Sequence, residues 1–444
     1  MHHYSPGNTV SALATPPGTA GVSIVRMSGD LSIAIAEKMF SGNVSSYMSH
    51  RAYFGKILDD QGDLLDEGLL ILFLAPASYT GENSVEFHCH GSPFIVQRIL
   101  DTTYELGAAP ALPGEFTYRA FYHGKIDLAQ AEAVHDIVMA RHERAHEAAQ
   151  RQLQGKLSEE ILAIQRILIE VMAQMEAAID FPDENLSTVG PTQLQKRLDD
   201  MKDRMHRLCE SFRLGERFRH GFSICLIGEP NVGKSSLLNR MTGEEHALVT
   251  QFPGTTRDRI RGEFQVHGMP FFITDTAGNR ETNDPVERAG IERGKEAAQS
   301  ADLILRVVDV TMPPSKRVGE SSEWLIWNKL DKGPVPPNKK EGGNQEYGVS
   351  ARTGEGISEL KEAIYEALCA GRFSEKEEIV LTHRRHYESL KEAIEHVARV
   401  PQAPSAEYAV SDIRSALESL NRILGIAISE SMLSDLFSRF CVGK

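Results

Sequence analysis

The sequence has few cysteines and no long apolar run. Its five cysteines are odd in number and widely scattered, which argues against a disulfide framework and indicates a reducing compartment. The longest clean apolar run, Gly68 to Ala75, is far shorter than the ~18–20 residues that a membrane-spanning helix needs. The first residues lack a basic region followed by an apolar core, so no secretory signal is predicted. We therefore expect a cytoplasmic protein without a membrane segment.

Basic residues are also in the minority, with 48 Lys and Arg against 62 Asp and Glu and a net charge of −14. Because affinity for nucleic acid comes mainly from neutralising phosphates, this charge opposes a large non-specific nucleic-acid surface. A local basic surface or a basic partner could still bind RNA. Two helix faces are rich in basic residues, and we favour charge balance by nearby Asp and Glu over RNA contact for them. These residues are Arg141, Arg144, Arg151, Lys156, Arg204, Arg207, Arg213, Arg217 and Arg219.

The 444 residues suffice for two to four domains with buried cores. Strands and helices mix at first, with a polar hairpin turn at Asp60 to Asp63 and with Ser92 and Pro93 as the N-cap and first position of a helix. Long helices follow from about Asp127, and Leu153 to Ala178 carries apolar residues at helical spacing, namely Leu157, Ile161, Ile164, Leu168, Val171 and Met175. Helices return after His383, where Ala406 to Ile428 is predicted to be part of the helical domain, and Gly221 to about Leu368 alternates strands with helices. The predicted fold class is α/β plus all-α: an N-terminal α/β domain and a central helical domain, into which a doubly wound, Ras-like α/β domain is inserted. The predicted boundaries are 1–125 for the N-terminal domain, 126–214 and 377–444 for the two parts of the helical domain, and 215–376 for the inserted domain.

A phosphate-binding loop follows the short apolar strand Ser223 to Ile227. It reads Gly228-Glu229-Pro230-Asn231-Val232-Gly233-Lys234-Ser235, and Ser236 continues into a helix. The glycines let backbone N–H groups point at phosphates, and the helix N-terminus adds a favourable dipole. We expect Lys234 to reach the β- and γ-phosphates and the Ser235 hydroxyl to coordinate Mg²⁺.

Further motifs follow in the order expected of a GTPase. In Asp275-Thr276-Ala277-Gly278 the carboxylate can hold Mg²⁺ through water and the last amide can sense the γ-phosphate. In Asn328-Lys329-Leu330-Asp331 the final carboxylate can accept hydrogen bonds from guanine N1–H and the 2-amino group, which adenine cannot donate. Ser350-Ala351-Arg352 can supply a backbone contact to the guanine 6-oxo group, and Gly254-Thr255-Thr256-Arg257-Asp258 lies where a mobile loop with an Mg²⁺-binding Thr belongs. Together these motifs predict a GTPase.

Residues outside these general motifs resemble a narrower group, the tRNA-modification GTPase family MnmE (also called TrmE), over essentially the whole chain. The loop 254–258 and Asn231 are similar to those of the TrmE–Era–EngA group of bacterial GTPases. The segments that carry the closer resemblance are Thr15-Pro16-Pro17-Gly18 to Arg26, Tyr79-Thr80-Gly81-Glu82 with Gly91, Pro113 to Val134, and Cys441-Val442-Gly443-Lys444.

The resemblance implies an N-terminal domain similar to folate-binding domains, with 5-formyl-tetrahydrofolate or a related one-carbon folate as its ligand. Arg26, Glu82, Lys125 and Lys444 are the positions carried over for folate, and Cys441 lies beside the last of them. The family works as a homodimer with a flavoprotein of the MnmG (GidA) type. The implied activity adds a carboxymethylaminomethyl or aminomethyl group to C5 of wobble uridine 34 of certain tRNAs.

For the GTPase domain, the resemblance implies dimerisation in the presence of K⁺, a cation that takes the place of an arginine finger. It implies K⁺ binding by Asn231, Thr250, Phe252 and Thr255, Mg²⁺ binding by Ser235 and Thr256, and a catalytic carboxylate at Glu287 that orients water through a second water. The expected GTP-binding residues are Asn231, Val232, Gly233, Lys234, Ser235, Ser236, Thr250, Gln251, Phe252, Pro253, Gly254, Thr255, Thr256, Asp275, Thr276, Ala277, Gly278, Asn328, Lys329, Leu330, Asp331, Ser350, Ala351 and Arg352.

Two features depart from the family pattern. Asn279 stands where the family usually has a hydrophobic residue, and its amide could touch the attacking water in competition with Glu287. Only 18 residues separate Asp309 from Asn328, which leaves little room for the usual helix and loop. His88-Cys89-His90 invites a metal site, but no second ligand pair lies at a useful spacing, so we favour a structural or folate-pocket role.

Two other functions stay open at this point. One is a ribosome-assembly GTPase of the Era/EngA type, although such relatives usually append an RNA-binding module or a second GTPase domain. The other is a folate-dependent one-carbon transferase that acts alone, with GTP as a regulator.

Overall fold

The computed structural model describes residues 4, 7–180, 191–243, 261–275, 301–312, 323–333, 340–341, 344–369, 379–426 and 428–443. The chain divides into two compact units. The first unit comprises Met1–Met139, Ala149–His206 and Arg385–Lys444, and the second comprises Ala140–Ala148 and Arg207–Arg384. This division into two units does not test the predicted domain boundaries, which stay a prediction. Within the described residues, no helix is both long enough and apolar enough to cross a membrane.

The first unit contains a six-stranded sheet in the order β3-β4-β5-β2-β1-β6. Its strands are β1 (Val10–Leu13), β2 (Ala20–Ser28), β3 (Ala52–Leu58), β4 (Leu64–Phe73), β5 (Ser84–Gly91) and β6 (Ala109–Pro110). Neighbours are antiparallel except for β1 and β6. The predicted turn at Asp60 to Asp63 lies between β3 and β4. Side chains alternate along β2, so that Val25 and Met27 are buried while Arg26 reaches the other face.

Helices α1 (Ser32–Met39) and α2 (Pro93–Glu105) pack apolar side chains into the core of this sheet. Ser92 occupies the N-cap position of α2, as its sequence predicts, but its side chain makes no capping hydrogen bond. The nearby Pro93 is the first helical residue, where a missing N–H costs nothing.

The remaining helices of the first unit carry their apolar residues at helical spacing. They are α3 (Glu115–Tyr122), α4 (Leu128–Met139), α6 (Lys156–Asp180), α11 (Ala406–Leu424) and α12 (Glu430–Phe437). Three more helices contribute residues to both units: α5 (Glu143–Leu153), α7 (Pro191–His220) and α10 (Arg384–Arg399). Gln165 on α6 donates to Asn421 on α11 at 2.9 Å. Two predicted helix ends were wrong: the helix expected from Leu153 is divided at Gly155, and the one expected to reach Ile428 ends before Gly425, because glycine is a poor helix former and a common stop.

Four of the basic residues on the predicted helix faces form ion pairs, which agrees with charge balance. They are Arg144 with Glu147, Lys156 with Glu159, Arg204 with Glu160, and Arg217 with Asp302.

The second unit is a doubly wound domain with a seven-stranded sheet in the order β12-β13-β11-β10-β7-β9-β8. Its strands are β7 (Phe222–Ile227), β8 (Arg261–Val266), β9 (Met269–Asp275), β10 (Leu303–Asp309), β11 (Glu323–Asn328), β12 (Lys340–Glu341) and β13 (Asn344–Gly348), and its helices include α8 (Lys234–Thr242) and α9 (Ile357–Cys369). The five strands from β13 to β9 are parallel, and both edge strands are antiparallel. The predicted fold class is confirmed. Loops that follow parallel strands meet at one edge of such a sheet, which is where ligands bind in this kind of fold.

Candidate functional site

The phosphate-binding loop lies between β7 and α8, as the sequence predicts. Gly228 has a φ of 148°, and a Cβ atom there would lie 2.3 Å from the carbonyl oxygen of Val307, so no other residue fits. Lys234 begins α8 and is only 7% exposed. Its Nζ donates hydrogen bonds to the carbonyl oxygens of Gly228 (2.9 Å) and Glu229 (3.0 Å). The ammonium group therefore lies within the loop that would surround the phosphates.

Ser235 and Asp275 meet at the edge of the sheet although 40 residues separate them in the chain. The Ser235 Oγ donates to Asp275 Oδ2 at 2.6 Å, because the parallel pairing of β7 and β9 places Leu226 opposite Asp275. The other oxygen, Asp275 Oδ1, is buried and has no hydrogen-bond partner among the described residues. A hydroxyl and a carboxylate with a spare oxygen are ligands that suit Mg²⁺.

Asn328 joins the phosphate loop to the loop that is predicted to read the 6-oxo group. Its side chain is almost fully buried; Nδ2 donates to the carbonyl oxygen of Val232 (2.9 Å), and Oδ1 accepts from the Ala351 amide (3.1 Å). The next residue, Lys329, has a φ of 69° and donates from Nζ to the carbonyl oxygen of Asn231 (2.9 Å). Three of the predicted motifs are thereby in direct contact.

Asp331 presents a carboxylate that is held from two sides. Its Oδ1 accepts from Ser350 Oγ at 2.7 Å, and its Oδ2 accepts from Arg352 Nε at 2.9 Å. These hydrogen bonds, that from Ser350 above all, and the nearby guanidinium lower the pKa of the Asp331 carboxyl below its usual value. The carboxylate is therefore ionised at neutral pH, as a group that accepts from guanine N1–H and the 2-amino group must be.

Sequence reasoning missed Asp309, the last residue of β10. Its Oδ2 lies 2.5 Å from Lys329 Nζ, and its Oδ1 accepts from the amide (2.9 Å) and the hydroxyl (2.7 Å) of Thr311. Burial raises the pKa of Asp309, but the hydrogen bonds from Lys329 and Thr311 outweigh it and lower the pKa from 3.8 to about 2. An acidic residue at the carboxyl end of a central strand was the available signal.

Several predicted site residues lie outside the described residues. They are Thr250, Gln251, Phe252, Pro253, Gly254, Thr255, Thr256, Thr276, Ala277, Gly278, Asn279, Glu287 and Lys444. Most of the predicted K⁺ ligands and the catalytic carboxylate thus stay predictions, as does the unusual segment between Asp309 and Asn328, of which 313–322 is not described.

A second group of predicted residues lies in the first unit, where the end of the chain packs against the sheet. The Arg26 guanidinium donates to Glu86 Oε1 (2.9 Å from Nε) and to the carbonyl oxygen of Gly443 (3.4 Å from Nη1). It also lies over the ring of Phe116, 5.7 Å from the centroid. Gly443 has a φ of 89°, and a Cβ atom there would lie 2.2 Å from the carbonyl oxygen of Leu13. This segment can approach β1 only with glycine at that position.

Glu82 and Lys125 are the other described folate candidates. Glu82 lies in the segment between β4 and β5, and Lys125 contacts this segment. Glu82 Oε2 accepts from Ser28 Oγ (2.7 Å) and from Arg119 Nη1 (2.9 Å). Arg119 is 1% exposed and also donates to Glu115 (2.8 Å), which fixes its position between two carboxylates. Lys125 Nζ donates to the carbonyl oxygen of Pro76 (2.9 Å). Sequence reasoning missed Arg119, although it lies inside the resembling segment Pro113 to Val134.

His88 and His90 hydrogen-bond to carboxylates: His88 to Glu86 (3.1 Å) and His90 to Asp66 (2.8 Å). Cys89 points into the core, where burial raises its pKa to about 11. Among the described residues no group of three His, Cys, Asp or Glu side chains could hold a metal ion. Cys441, in contrast, is exposed, and its carbonyl oxygen accepts from the Gly114 amide at 3.2 Å.

A strand–loop–helix phosphate site on a doubly wound sheet, in contact with the motif that is predicted to read guanine, is typical of the class of P-loop GTP hydrolases. Two family models match consecutive parts of the chain. The model of the GTP-binding protein TrmE N-terminus matches residues 9–125, and that of the MnmE helical domain matches residues 128–441. The chain belongs to the tRNA modification GTPase MnmE family.

Individual relatives agree over the full length. The tRNA modification GTPase MnmE of Protochlamydia amoebophila is 43% identical over 99% of this chain and 98% of the relative, and that of Chlamydia pneumoniae is 38% identical over 98% of this chain and 99% of the relative. Among solved structures, the G domain of the T. maritima FeoB iron transporter is 28% identical and covers 33% of this chain and 97% of its own, at a TM-score of 0.26.

Proposed function

We propose that this protein is a K⁺-dependent GTPase that acts with a flavoprotein of the MnmG (GidA) type on wobble uridine 34 of certain tRNAs. The proposed reaction adds a carboxymethylaminomethyl or aminomethyl group to C5 of the base, with a one-carbon tetrahydrofolate as donor. The protein would act as a homodimer in the cytoplasm.

The observation that carries this proposal is the contact between Arg26 and Gly443, 417 residues apart in the chain. It places the last described residue beside a guanidinium on the sheet of the first unit, and Lys444 follows directly in the sequence. Two cationic side chains suit the carboxylates of a folate's glutamate tail. Glu82, held by Ser28 and the buried Arg119, has a fixed position in the same unit, which supports its proposed role as a folate-binding residue.

For the GTPase reaction, the side chains of the second unit have separate roles in this proposal. Lys234 would contact the phosphates, the Ser235 hydroxyl would bind Mg²⁺, the Asp275 carboxylate would hold this ion through water, and Asp331 would accept from the guanine base. When bound, Mg²⁺ neutralises charge on the phosphate oxygens. Asn231 would bind K⁺ with Thr250, Phe252 and Thr255, Thr256 would complete the Mg²⁺ ligands, and Glu287 would orient the attacking water through a second water.

The test is the modification state of tRNA in cells that lack this protein. Mass spectrometry of tRNA nucleosides should show the loss of the C5-modified wobble uridine, and expression of the wild-type chain should restore it. The variant Asp331→Asn should fail to restore it, because loss of the acceptor for N1–H and the 2-amino group weakens GTP binding by on the order of 10²-fold. Unchanged wobble uridine in the deletion strain would refute the proposal.

Two further measurements, made with the wild-type protein, distinguish the two rival functions. Co-purification of the protein with ribosomal particles and intact tRNA modification would indicate a ribosome-assembly GTPase. Turnover of a folate donor by the purified chain without any flavoprotein would indicate a one-carbon transferase that acts alone.

A further inference from the structure

The base-reading loop Ser350–Ala351–Arg352 is held by a side chain that no motif includes. Arg240 donates from Nε to the carbonyl oxygen of Ala351 (2.9 Å) and from Nη2 to the carbonyl oxygen of Arg352 (2.6 Å). We propose that Arg240 is a positioning residue that holds this loop so that the Ala351 amide can read the 6-oxo group of guanine. The inference rests on the base-reading role proposed above and adds a determinant of specificity to it.

The position of Arg240 on α8 connects the base-reading loop to the phosphate loop. It lies in the last turn of α8, the helix that begins at Lys234 in the phosphate loop. A rigid helix of nine residues therefore carries the phosphate-contacting lysine at one end and supports the base-reading loop at the other. A guanidinium donates through a planar fork of N–H groups, so it can fix two successive carbonyl groups at once, and its charge strengthens both bonds.

The other contacts of the loop restrain different atoms. The Ser350 Oγ donates to Asp331 Oδ1, and the single N–H of Ala351 donates to Asn328 Oδ1, so this N–H would have to be shared with the guanine 6-oxo group or released to it when the base binds. The carbonyl groups of Ala351 and Arg352 both receive hydrogen bonds from Arg240, on the side of the loop that follows the reading amide. Without Arg240 the Ala351 amide keeps its hydrogen bond to Asn328, but the carbonyl groups of Ala351 and Arg352 lose their hydrogen bonds to the guanidinium. A looser amide gives up selectivity for the 6-substituent before it gives up the rest of the base.

A purely structural role is the competing explanation, because an arginine in the last turn of a helix also interacts favourably with the helix dipole. The two explanations differ in one measurable respect. A structural role would weaken all guanine-type nucleotides equally, whereas a positioning role changes the preference between nucleotides that differ only at position 6. Arg240 is exposed, so its replacement leaves no buried cavity.

The test compares the full-length wild type with Arg240→Met, Arg240→Lys and the control Arg306→Met. Arg306 donates to Glu323 (2.8 Å) at the opposite end of β11 from Asn328, so its replacement removes an arginine ion pair without a contact to the loop. Dissociation constants are measured for GDP, for 6-thio-GDP, which has a weak sulfur acceptor in place of the 6-oxo group, and for IDP, which lacks only the 2-amino group.

We expect Arg240→Met to reduce the preference for GDP over 6-thio-GDP by about threefold or more, and to change the GDP-to-IDP preference by less than about twofold, because Asp331 reads the 2-amino group. Arg240→Lys, with one cationic donor group, should restore part of the lost preference, and Arg306→Met should behave as wild type. Equal weakening of all three nucleotides, with or without a lower unfolding temperature, would overturn the proposal. A wild type that fails to prefer GDP over IDP would instead refute the base-reading role of Asp331, so the two failures are distinguishable.

Discussion

Asp309 holds Lys329 against the phosphate loop, and its lowered pKa makes this contact measurable. A carboxyl group with a lower pKa in the folded state stabilises the fold above its unfolded pKa of 3.8 and loses that contribution as the pH falls through about 2. We therefore expect Asp309→Asn to lower the free energy of unfolding at pH 7 by less than about 2.5 kcal/mol, because the shift from 3.8 to about 2 at about 1.4 kcal/mol per pKa unit sets the bound and solvent screening reduces it.

Urea denaturation of the wild type and the variant at pH 7 and pH 3 measures this effect, and the difference should shrink at the lower pH. The matched control is Asp435→Asn, which removes an exposed partner of Arg439 and should cost under about 0.5 kcal/mol. A difference for Asp309→Asn that is independent of pH would contradict the assignment to this ion pair.

Two residues compete for the role of orienting the attacking water, Glu287 and Asn279. Asn279 is a candidate because it stands where the family usually has a hydrophobic residue. An asparagine is shorter than the glutamine that performs this task in Ras-like enzymes, whereas Glu287 carries a full charge and can act through a bridging water. We expect Glu287→Ala to lower the GTPase rate by roughly 10²-fold or more with little change in affinity, and Asn279→Leu to cost under about tenfold.

Single-turnover rates of both variants in K⁺ distinguish these residues. If Asn279→Leu hydrolysed GTP far more slowly than the wild type while Glu287→Ala kept its rate, the carboxylate assigned from the family would not orient the water in this chain.

At the scale of one element, substitutions in the C-terminal segment 441–443 test the proposed folate site. Because a Cβ atom on Gly443 would lie 2.2 Å from the Leu13 carbonyl oxygen, Gly443→Val must move this segment away from β1 and Arg26. We expect loss of tRNA modification with unchanged GDP affinity, and the same result from deletion of Cys441 to Lys444.

The neighbouring substitution Val442→Ala is the control, since Val442 is 55% exposed and its truncation disturbs no packing. Wobble-uridine analysis in the complemented deletion strain and fluorescent-GDP titration provide the two readouts. Normal modification with Gly443→Val and with the deletion would show that the segment is dispensable.

At the scale of the whole molecule, the proposed K⁺ requirement links hydrolysis to the association of GTPase domains. Asn231 has a φ of 65° in the phosphate loop, and its backbone carbonyl accepts from Lys329, while its side-chain amide oxygen is the proposed cation ligand. We expect GTP hydrolysis to be roughly tenfold or more faster in K⁺ than in Na⁺ at equal ionic strength, as expected of a charge placed at the transition state.

The variant Asn231→Ala should remove this difference between the two salts, and the measurement is the initial rate of phosphate release in each. Equal rates in both salts for the wild type would exclude K⁺ as a catalytic component.

Those parts of the fold and the site that depend on neighbouring residues could be predicted from the sequence alone. The phosphate loop is local, because a strand, a glycine-containing turn and a helix N-terminus lie within a few residues, and the order of the later motifs assigns their strands to one sheet. Helical spacing likewise predicted the buried face of α6, with Leu157, Ile161, Ile164 and Leu168 in the core. Helix ends were less predictable, as Gly155 and Gly425 show, because one glycine can end a periodic pattern or be tolerated inside it.

Only the tertiary structure decided which side chains hold these motifs in place. Arg240 lies 111 residues from Ala351, and Arg26 lies 417 residues from Gly443. Neither pair has a spacing that a periodic pattern could reveal. Asp309 and Arg119 likewise reach their partners, Lys329 and Glu82, only because the elements that carry them lie close together in the fold. Hydrogen bonds of this kind depend on the positions of atoms in space, whereas sequence patterns report only the local conformation of the chain.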